Sequence, residues 1–295
     1  MLQKLVDTLS SMIRTEGSTT TFLPEVTLFR AERHAPKVPL IYDQCICIAA
    51  QGRKACHLSE RTFTYGPDQY LVVPTVVPVD IEVFPDEAGP LLGLTMSIDF
   101  RIVREILDTM QARPQSAPGH EESVTGVYLE AMTDDILETV LRLLRCLQEP
   151  GEAAVLGRQT VRELHYRVLT GAHGAMLSSA ARGESSLARI AKALRTIHDN
   201  YTEPLDVPRL ASASNMSTRS FHEHFKAVTS HTPVQYLKRI RLEKARQYLV
   251  SHGYQAGEAA HMAGFESPSH FSREFKRHFG YPPSEAARHT AAAAV

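Results

Sequence analysis

The last third of the chain contains the stretch Ser267-Pro-Ser-His-Phe271-Ser-Arg-Glu-Phe275-Lys276, which repeats an earlier stretch, Ser217-Thr-Arg-Ser-Phe221-His-Glu-His-Phe225-Lys226. The copies lie 50 residues apart, and each is followed by a proline, Pro233 or Pro283. In each copy a serine stands where a helix needs an N-cap, and two phenylalanines at i and i+4 define a buried stripe. A short apolar helix and a tight turn precede each copy. The pattern predicts two helix–turn–helix units, an arrangement that can present two helices to the major groove of DNA.

Polar side chains occupy the helix face opposite the phenylalanines in both copies. Arginine can bond guanine in bidentate fashion, glutamate can accept from cytosine, and histidine and serine can reach several base edges. The predicted base contacts are Arg219, His222, Glu223, Ser269, Ser272 and Arg273. The predicted phosphate contacts, which include the two helix starts, are Ser217, Lys226, Ser267, Lys276 and Arg277.

A single long helix is predicted between the two units, over residues Pro233 to Val250. About 18 residues at 1.5 Å rise span roughly 27 Å. That length can hold two helices in successive major grooves, about 34 Å apart. Its predicted apolar side carries Val234, Leu237, either Ile240 or Arg241, Ala245 and Leu249. The alternative, that each phenylalanine pair is only the apolar stripe of a surface helix, does not explain why cap, phenylalanines, lysine and proline recur at one offset.

The charge of the chain is divided unevenly. Residues 189–295 carry 15 Lys and Arg against 9 Asp and Glu, a net charge of +6, whereas residues 1–188 carry 17 against 24, a net charge of −7. Nine of the 14 histidines also lie in the C-terminal part. An acidic part joined to a basic part indicates that only the basic part meets phosphates.

Composition favours a two-domain globular protein without a membrane span. The chain has 295 residues, of which 43% are hydrophobic, and it contains no run of 18 apolar residues. The N-terminus lacks the apolar core of a signal peptide. Four cysteines in a chain of this length do not suggest a disulfide framework. We therefore expect a cytoplasmic location and no contact with a membrane.

The N-terminal part has β character from Phe22 to Asp99, where short apolar or alternating runs are separated by turn signals. This spacing predicts a small β-sandwich or barrel. Asp99 is expected to cap a helix through about Gln111, and Leu137, Leu141, Leu144 and Leu147 indicate an amphipathic helix before Pro150. A further helix is expected from about Gly157 to Leu169. These helices either form a dimer surface or cover the barrel.

The predicted fold class is multidomain α+β: a β-sandwich or cupin-like domain with packed helices, followed by an all-α domain. The small, polar residues 177–186 are predicted to be a linker. Residues 1–176 would then form an effector-sensing and dimerisation domain, and residues 187–290 a DNA-binding domain.

The C-terminal part resembles the signature of the AraC/XylS family of bacterial transcription regulators. The resemblance is carried by Gly264-Phe-Glu-Ser-Pro-Ser-His-Phe-Ser-Arg-Glu-Phe-Lys-Arg-His-Phe-Gly-Tyr-Pro-Pro283 and, in the first unit, by Leu210-Ala-Ser-Ala-Ser-Asn-Met-Ser217, Pro233-Val-Gln-Tyr-Leu237 and Arg241-Leu-Glu-Lys-Ala-Arg-Gln-Tyr-Leu249. It covers roughly 100 residues. Ala260-His-Met and Gly257 depart from the family pattern in the short helix of the second unit. These departures affect the expected stability of that helix more than its expected role.

The N-terminal part resembles the branch of this family with an AraC-type, cupin-like sensing domain. The matching segments are Tyr42-Asp-Gln-Cys-Ile-Cys-Ile-Ala-Ala-Gln-Gly-Arg-Lys54, Tyr65-x4-Tyr70-Leu-Val-Val-Pro74 and Arg162-Glu-Leu-His-Tyr-Arg-Val-Leu-Thr-Gly-Ala-His-Gly174. The resemblance implies a transcription factor that binds double-stranded promoter DNA, often an activator that contacts RNA polymerase. It also implies control by a small-molecule effector, which the sequence does not identify, and a homodimer formed through the N-terminal region.

Two interpretations of Cys45 and Cys47 remain open. Two residues apart on a strand, they point to the same face, and they would be either a thiol sensor for an aldehyde, another electrophile or an oxidant, or small buried residues of the core. The second interpretation is favoured, because no neighbour in the sequence predicts a lowered thiol pKa.

The sequence predicts no metal, no cofactor and no enzyme activity. His34 and His57 are the only histidines of the β region, and no other ligand is spaced to join them. Neither a phosphate-binding glycine loop nor a nucleophile elbow occurs. Two alternatives are an enzyme of the cupin class, which would need a metal cluster, and an architectural protein that binds DNA with little base preference.

Overall fold

The computed structural model describes residues 1–58, 61–87, 89–110, 127–182 and 186–289. Its N-terminal half has ten strands: β1 (Gly17–Thr20), β2 (Val26–Ala31), β3 (Ala35–Tyr42), β4 (Cys45–Gln51), β5 (Arg53–Leu58), β6 (Arg61–Tyr65), β7 (Gln69–Val73), β8 (Val77–Phe84), β9 (Leu91–Ser97) and β10 (Tyr128–Ala131). Its helices are α1 (Leu2–Met12), α2 (Phe100–Thr109), α3 (Asp134–Cys146), α4 (Pro150–Glu152), α5 (Arg158–Leu169) and α6 (Gly174–Arg182), with a π-helical turn at Ala153–Gly157. Gln111, the predicted end of α2, lies outside the described residues.

The strands form two antiparallel sheets that pack face to face. The larger sheet has the order β1-β2-β9-β4-β7-β10, and the smaller has the order β3-β8-β5-β6. Strand β4 is buried on both faces: Cys45, Cys47 and Ala49 face the second sheet, whereas Ile46 and Ile48 face a layer of helices. This double burial is why β4 reads as a continuous apolar run. The predicted β-sandwich with packed helices is confirmed.

The helices α1, α2, α3 and α5 cover the outer face of the larger sheet and share one core with it. Asp99 caps α2 as predicted, because its carboxylate accepts a hydrogen bond from the backbone of Arg101 at 2.8 Å. Leu141, Leu144 and Leu147 lie in this core, and Leu137 packs partly buried against it. The amphipathic leucine pattern therefore packs within the domain.

The C-terminal part is all helical. It consists of α7 (Ser186–Asp199), α8 (Val207–Ala213), α9 (Thr218–Thr229), α10 (Pro233–Ser251), α11 (Ala256–Met262), α12 (Pro268–Phe279), a 3-10 turn at Pro283–Glu285, and α13 (Ala286–His289). One hydrophobic core gathers α7, α8, α9 and the first half of α10, and a second gathers the rest of α10 with α11, α12 and α13. The two helix–turn–helix units and the long helix between them are confirmed.

The segment predicted as a linker differs in structure from the prediction. Residues up to Arg182 belong to α6, in which Leu177 and Ala181 are buried in the N-terminal core, and α7 begins at Ser186. The small side chains of this segment allow a closely packed helix, so composition alone misled the assignment. Residues 183–185 lie outside the described ranges.

Candidate nucleic-acid interface and sensing core

Helix α9 has one buried face and one exposed face. Ser217 caps it, with its hydroxyl accepting a hydrogen bond from the backbone of Ser220 at 3.2 Å. Phe221 and Phe225 are fully buried in the core of the first unit. The residues predicted to reach DNA from α9 are all exposed: Arg219, His222, Glu223 and Lys226. The Arg219 guanidinium donates a hydrogen bond to the Glu223 carboxylate at 3.0 Å, which orders the exposed face without covering it.

Helix α12 repeats this arrangement in the second unit. Ser267 caps it through the backbone of His270 at 3.3 Å, and Phe271 and Phe275 are fully buried. The exposed residues among those predicted to reach DNA are Ser267, Ser269, Arg273, Lys276 and Arg277. Ser272 departs from the prediction: it is half-buried, and its hydroxyl donates to the Pro268 carbonyl at 3.0 Å because the helix backbone is its nearest acceptor.

Glu274 holds α12 against α10, a role that the sequence patterns did not reveal. Its carboxylate lies 2.7 Å from the Lys238 ammonium of α10 and also pairs with Arg277. Burial is the largest single effect and raises the pKa of Glu274, but the hydrogen bond and charge of Lys238, together with the charges of Arg277 and His270, outweigh it, so the net shift is downward. The helical spacing could have indicated this role, because Glu274 follows Phe271 by three residues and so borders the buried stripe.

Helix α10 belongs to both cores. Tyr236, Leu237 and Ile240 pack in the first unit, and Leu242, Ala245 and Leu249 pack in the second. Val234, predicted on the apolar side, is 64% exposed and so the prediction for it was wrong. The reason is that α10 buries different faces along its length, which a single apolar stripe cannot describe. Its 19 residues span about 28 Å at 1.5 Å per residue.

The space between the two sheets holds a cluster of thiols and a lysine. Cys45, Cys47 and Cys56 are buried there, with the Cys45 and Cys47 sulfurs 3.6 Å apart. Lys54 is 2% exposed, and its ammonium lies 4.4 Å from the centroid of the Phe29 ring. Lys54 was not predicted to lie in this cluster, because a lysine is rarely buried. Lys54 lies in β5, the strand after the one that carries Cys45 and Cys47, and the sequence does not indicate which face of the sheet its side chain occupies.

The thiols of this cluster differ in acidity. The hydrogen bond with Cys45, together with the charge of Lys54, lowers the pKa of Cys47 to about 7, although burial opposes the shift. The same hydrogen bond, followed by burial, raises the pKa of Cys45. Burial raises the pKa of Cys56 and lowers that of Lys54. One thiol is thus more acidic than its neighbours, contrary to the expectation that nothing nearby lowers a thiol pKa.

The family models match both domains. The model for the N-terminus of AraC-type transcriptional regulators covers residues 22–176, more than half of the chain, and a helix–turn–helix domain model covers residues 210–289. The chain belongs to the AraC family of transcriptional regulators. The resemblance stated from the sequence motifs is confirmed.

The curated proteins to which this chain is similar include HTH-type transcriptional activators named RhaS. RhaS of Yersinia pestis (strain Pestoides F) is 33% identical over 103 residues, which are 35% of this chain and 38% of the relative. RhaS of Enterobacter sp. (strain 638) is 29% identical over 178 residues, which are 59% of this chain and 61% of the relative. The chain therefore matches less than two thirds of the length of either relative.

The solved structures with a similar fold include ToxT from Vibrio cholerae. ToxT of strain SCE256 with an unsaturated fatty acid bound has a TM-score of 0.61 at 9% identity, covering 95% of this chain and 99% of that one. ToxT of O395 bound to (E)-4-(8-methylnaphthalen-1-yl)but-3-enoic acid has a TM-score of 0.60 at 10% identity, covering 93% and 99%. Both show that the two-domain fold is shared.

The two domains of this AraC-family chain are in contact. Helix α10 packs against β3 and β8, and the Arg239 guanidinium donates to the Val79 carbonyl at 3.2 Å and pairs with the Asp80 carboxylate. Val76, just before β8, lies in the core of the first helix–turn–helix unit. Arg239 also donates to the His231 ring at 3.2 Å, and burial lowers the pKa of that histidine and keeps it a neutral acceptor.

Glu82 joins the two histidines of the β region. Its carboxylate oxygens lie 3.2 Å from His34 and 3.2 Å from His57. In the ranges that the structure describes, no three His, Cys, Asp or Glu side chains are grouped so as to hold a metal ion. Within those ranges, too, no helix combines the length and apolar character needed to traverse a bilayer.

Proposed function

We propose that this regulator binds double-stranded promoter DNA with α9 and α12 in successive major grooves. The observation that carries the proposal is the pair of capped helices, each with buried phenylalanines and an exposed polar face, joined by α10. The base and phosphate contacts are those proposed from the sequence, with Ser272 the weakest because its hydroxyl is already bonded. The relatives named RhaS are transcriptional activators, and we propose activation through contact with RNA polymerase here also.

A footprint on genomic DNA tests this proposal against its rival, an architectural protein. A sequence-specific regulator should protect discrete sites of about 20 base pairs, the length of two half-elements and their flanks. Even protection of unrelated sequences would favour the architectural protein. Transcription with purified RNA polymerase from a protected promoter then separates activation from repression.

We propose that a small-molecule effector acts on the N-terminal domain at the centre formed by Lys54 and Cys47. Buried polar groups of this kind are costly in an apolar core, and groups with perturbed pKa values cluster at functional sites. The ligands in the two ToxT structures, an unsaturated fatty acid and a butenoic acid derivative, are carboxylic acids. Lys54 would supply the countercharge for such an effector, and Cys47 would react with an electrophilic one.

Binding measurements separate the two kinds of effector. Titration of carboxylic acids should give affinities that Lys54→Met lowers and Cys47→Ser leaves nearly unchanged. Covalent adducts with aldehydes or other electrophiles should instead require Cys47. Cys146→Ser is the matched control, because Cys146 is a buried cysteine of α3 outside this cluster. If all three variants behave as the wild type, the effector acts elsewhere and the thiols are core residues.

A homodimer formed through the N-terminal domain is the remaining part of the proposal. Three exposed apolar side chains lie in and after the π-helical turn: Val155, Leu156 and Tyr166. Such side chains favour an interface when grouped. Light scattering should show a dimer that Leu156→Asp dissociates, whereas a monomeric wild type would exclude it.

A further inference from the structure

A cationic groove lies between the two domains, and we call it the junction groove. Its volume is about 410 Å³. Five cationic side chains from α2, α6 and α7 line it: Arg104, Arg182, Arg189, Lys192 and Arg195. Ser214, which ends α8, also lines it. No acidic side chain lines the groove among the residues described.

The cations that α7 contributes to the junction groove favour an external partner. Arg189, Lys192 and Arg195 follow one another at intervals of three along α7, and like charges at this spacing repel. Lys192 donates to the Ala213 carbonyl at 3.4 Å, which does not neutralise its charge. A bound anion would do so.

An adjoining groove also contains Arg104 and Arg195, together with three carboxylates. Two of those carboxylates are already paired, Asp99 with Arg101 at 2.8 Å and Glu105 with Arg162 at 2.8 Å. The third carboxylate, Glu25, lines the adjoining groove and does not line the junction groove.

Ser214 gives a second, independent indication of a ligand. The residue is 3% exposed, and its hydroxyl has no hydrogen-bond partner among the described residues. The Nε atom of Arg189 is likewise buried and, among those residues, without a partner. Buried donors are nearly always satisfied in proteins. Both residues line the junction groove, so an acceptor bound there would lie beside two donors that lack partners.

We propose that the junction groove binds a small phosphate-bearing anion. Phosphate offers several acceptor oxygens to arginine forks and to a serine hydroxyl. The volume falls within the range of small-molecule sites, about 300–1,000 Å³. The DNA backbone carries the same chemistry, but Arg104 and Arg182 belong to the effector domain, so a free anion fits the groove better than a duplex does. Bound there, it would link α2 and α6 to α7 and so couple the two domains.

Calorimetric titration of the full chain with pyrophosphate, at constant ionic strength, tests the proposal. We expect saturable binding at one site, weakened about tenfold or more by Arg195→Ala and by Ser214→Ala, since charge-assisted hydrogen bonds would be lost. Arg195→Lys should restore part of the affinity. Arg209→Ala is the matched control, because Arg209 is an exposed arginine of α8 outside the groove. Unchanged thermal unfolding of the variants shows that they fold.

Two outcomes would overturn the proposal. One is the absence of saturable pyrophosphate binding, and the other is equal weakening by Arg209→Ala, which would indicate diffuse charge. Fluorescence anisotropy with a short random-sequence duplex distinguishes the source of phosphate. If Arg195→Ala and Ser214→Ala lower the affinity for DNA while pyrophosphate does not bind, the groove contacts the DNA backbone and not a free anion.

Discussion

Arg219 and Arg273 are exposed on α9 and α12, and we propose that they contact base edges. Replacing either arginine with alanine should reduce discrimination at particular base pairs by about 1–3 kcal/mol, the value of a bidentate contact. Lys276→Ala should weaken binding to all sequences alike and lower the salt slope by about one, because it removes a phosphate contact. Selection of binding sites from a random library, at two salt concentrations, measures both effects. Identical behaviour of the three variants would show that the contacts are wrongly sorted.

Cys47 should react at lower pH than the other thiols of its cluster. The hydrogen bond with Cys45 and the charge of Lys54 lower its pKa to about 7. The rate of alkylation by iodoacetamide, followed by peptide mass spectrometry, should therefore rise through about pH 7 at Cys47. In Lys54→Met the midpoint should move upward, because the stabilising charge is gone. Equal midpoints for Cys47 in both proteins would contradict the role given to Lys54.

His165 should make the N-terminal domain sensitive to acid. Its ring is buried, donates from Nδ1 to the Val161 carbonyl at 2.8 Å, and accepts at Nε2 from the Asp99 backbone at 3.0 Å. Burial lowers its pKa, so the neutral ring stabilises the fold fully above the unfolded pKa of about 6.5. That contribution is lost as the pH falls through the lower folded pKa.

The variant His165→Gln tests this prediction. It should lower stability at neutral pH by about 1–3 kcal/mol through the lost buried hydrogen bonds, and its melting temperature should fall less than that of the wild type as the pH drops below about 6.5. His222→Gln serves as the control, because His222 is exposed. Parallel melting curves for all three proteins would argue against His165 as the source of acid sensitivity.

At the scale of elements, Gly93 permits β9 to approach its neighbours closely. A Cβ atom there would lie 2.1 Å from the Ile48 carbonyl oxygen and 2.5 Å from the Phe29 ring. Gly93→Ala should therefore lower the free energy of unfolding by about 1–3 kcal/mol, the usual cost of overpacking. Gly257→Ala is the converse case: a Cβ atom at this position of α11 would meet no atom within 4 Å, so stability should rise by about 0.5–1 kcal/mol. Denaturant melts of both variants provide the test, and equal effects would refute it.

The elements that were predictable from sequence carry their signal locally. The caps Ser217 and Ser267, the phenylalanine pairs and the continuous apolar run of β4 each lie within a few residues. The pairing of β5 with β6 and β8, which turns Lys54 inward, depends on the order of strands in the sheet and has no local signature. Glu274 was missed and Val234 was wrongly predicted to be apolar-facing for a similar reason, since their surroundings are set by helices distant in sequence.

At the scale of the whole molecule, the ion pair between Arg239 and Asp80 fastens the DNA-binding domain to the effector domain. Asp80→Asn removes the charge with little change of shape. Amide hydrogen exchange should then become faster in β8 and in the first half of α10, because these elements meet at this contact. Exchange in α11 and α12 should stay unchanged. Glu223→Gln, which breaks the exposed pair with Arg219, is the control and should leave β8 as it is. Unchanged exchange in Asp80→Asn would show that the apolar contact of Val76 suffices.

The two-domain organisation was predictable because composition and charge change along the chain, with −7 in residues 1–188 and +6 in residues 189–295. The domain boundary was harder to predict from the sequence, because α6 is built from the small residues that also compose linkers. The division into residues 1–176 and 187–290 stays a prediction, with residues up to Arg182 of the predicted linker lying in α6. How the domains touch was not predictable, since Asp80 and Arg239 are far apart in sequence and each resembles an ordinary surface charge.

Because α10 contributes side chains to both helical cores, it fixes the distance between α9 and α12. The protein would then select operators by the spacing of their half-elements along the duplex as well as by their base sequence. Inserting about five base pairs, half a turn, between the half-elements would rotate one of them to the far side of the duplex. Inserting a whole turn would return that half-element to the same side of the duplex, but it would then lie farther away than the fixed separation of α9 and α12 can span.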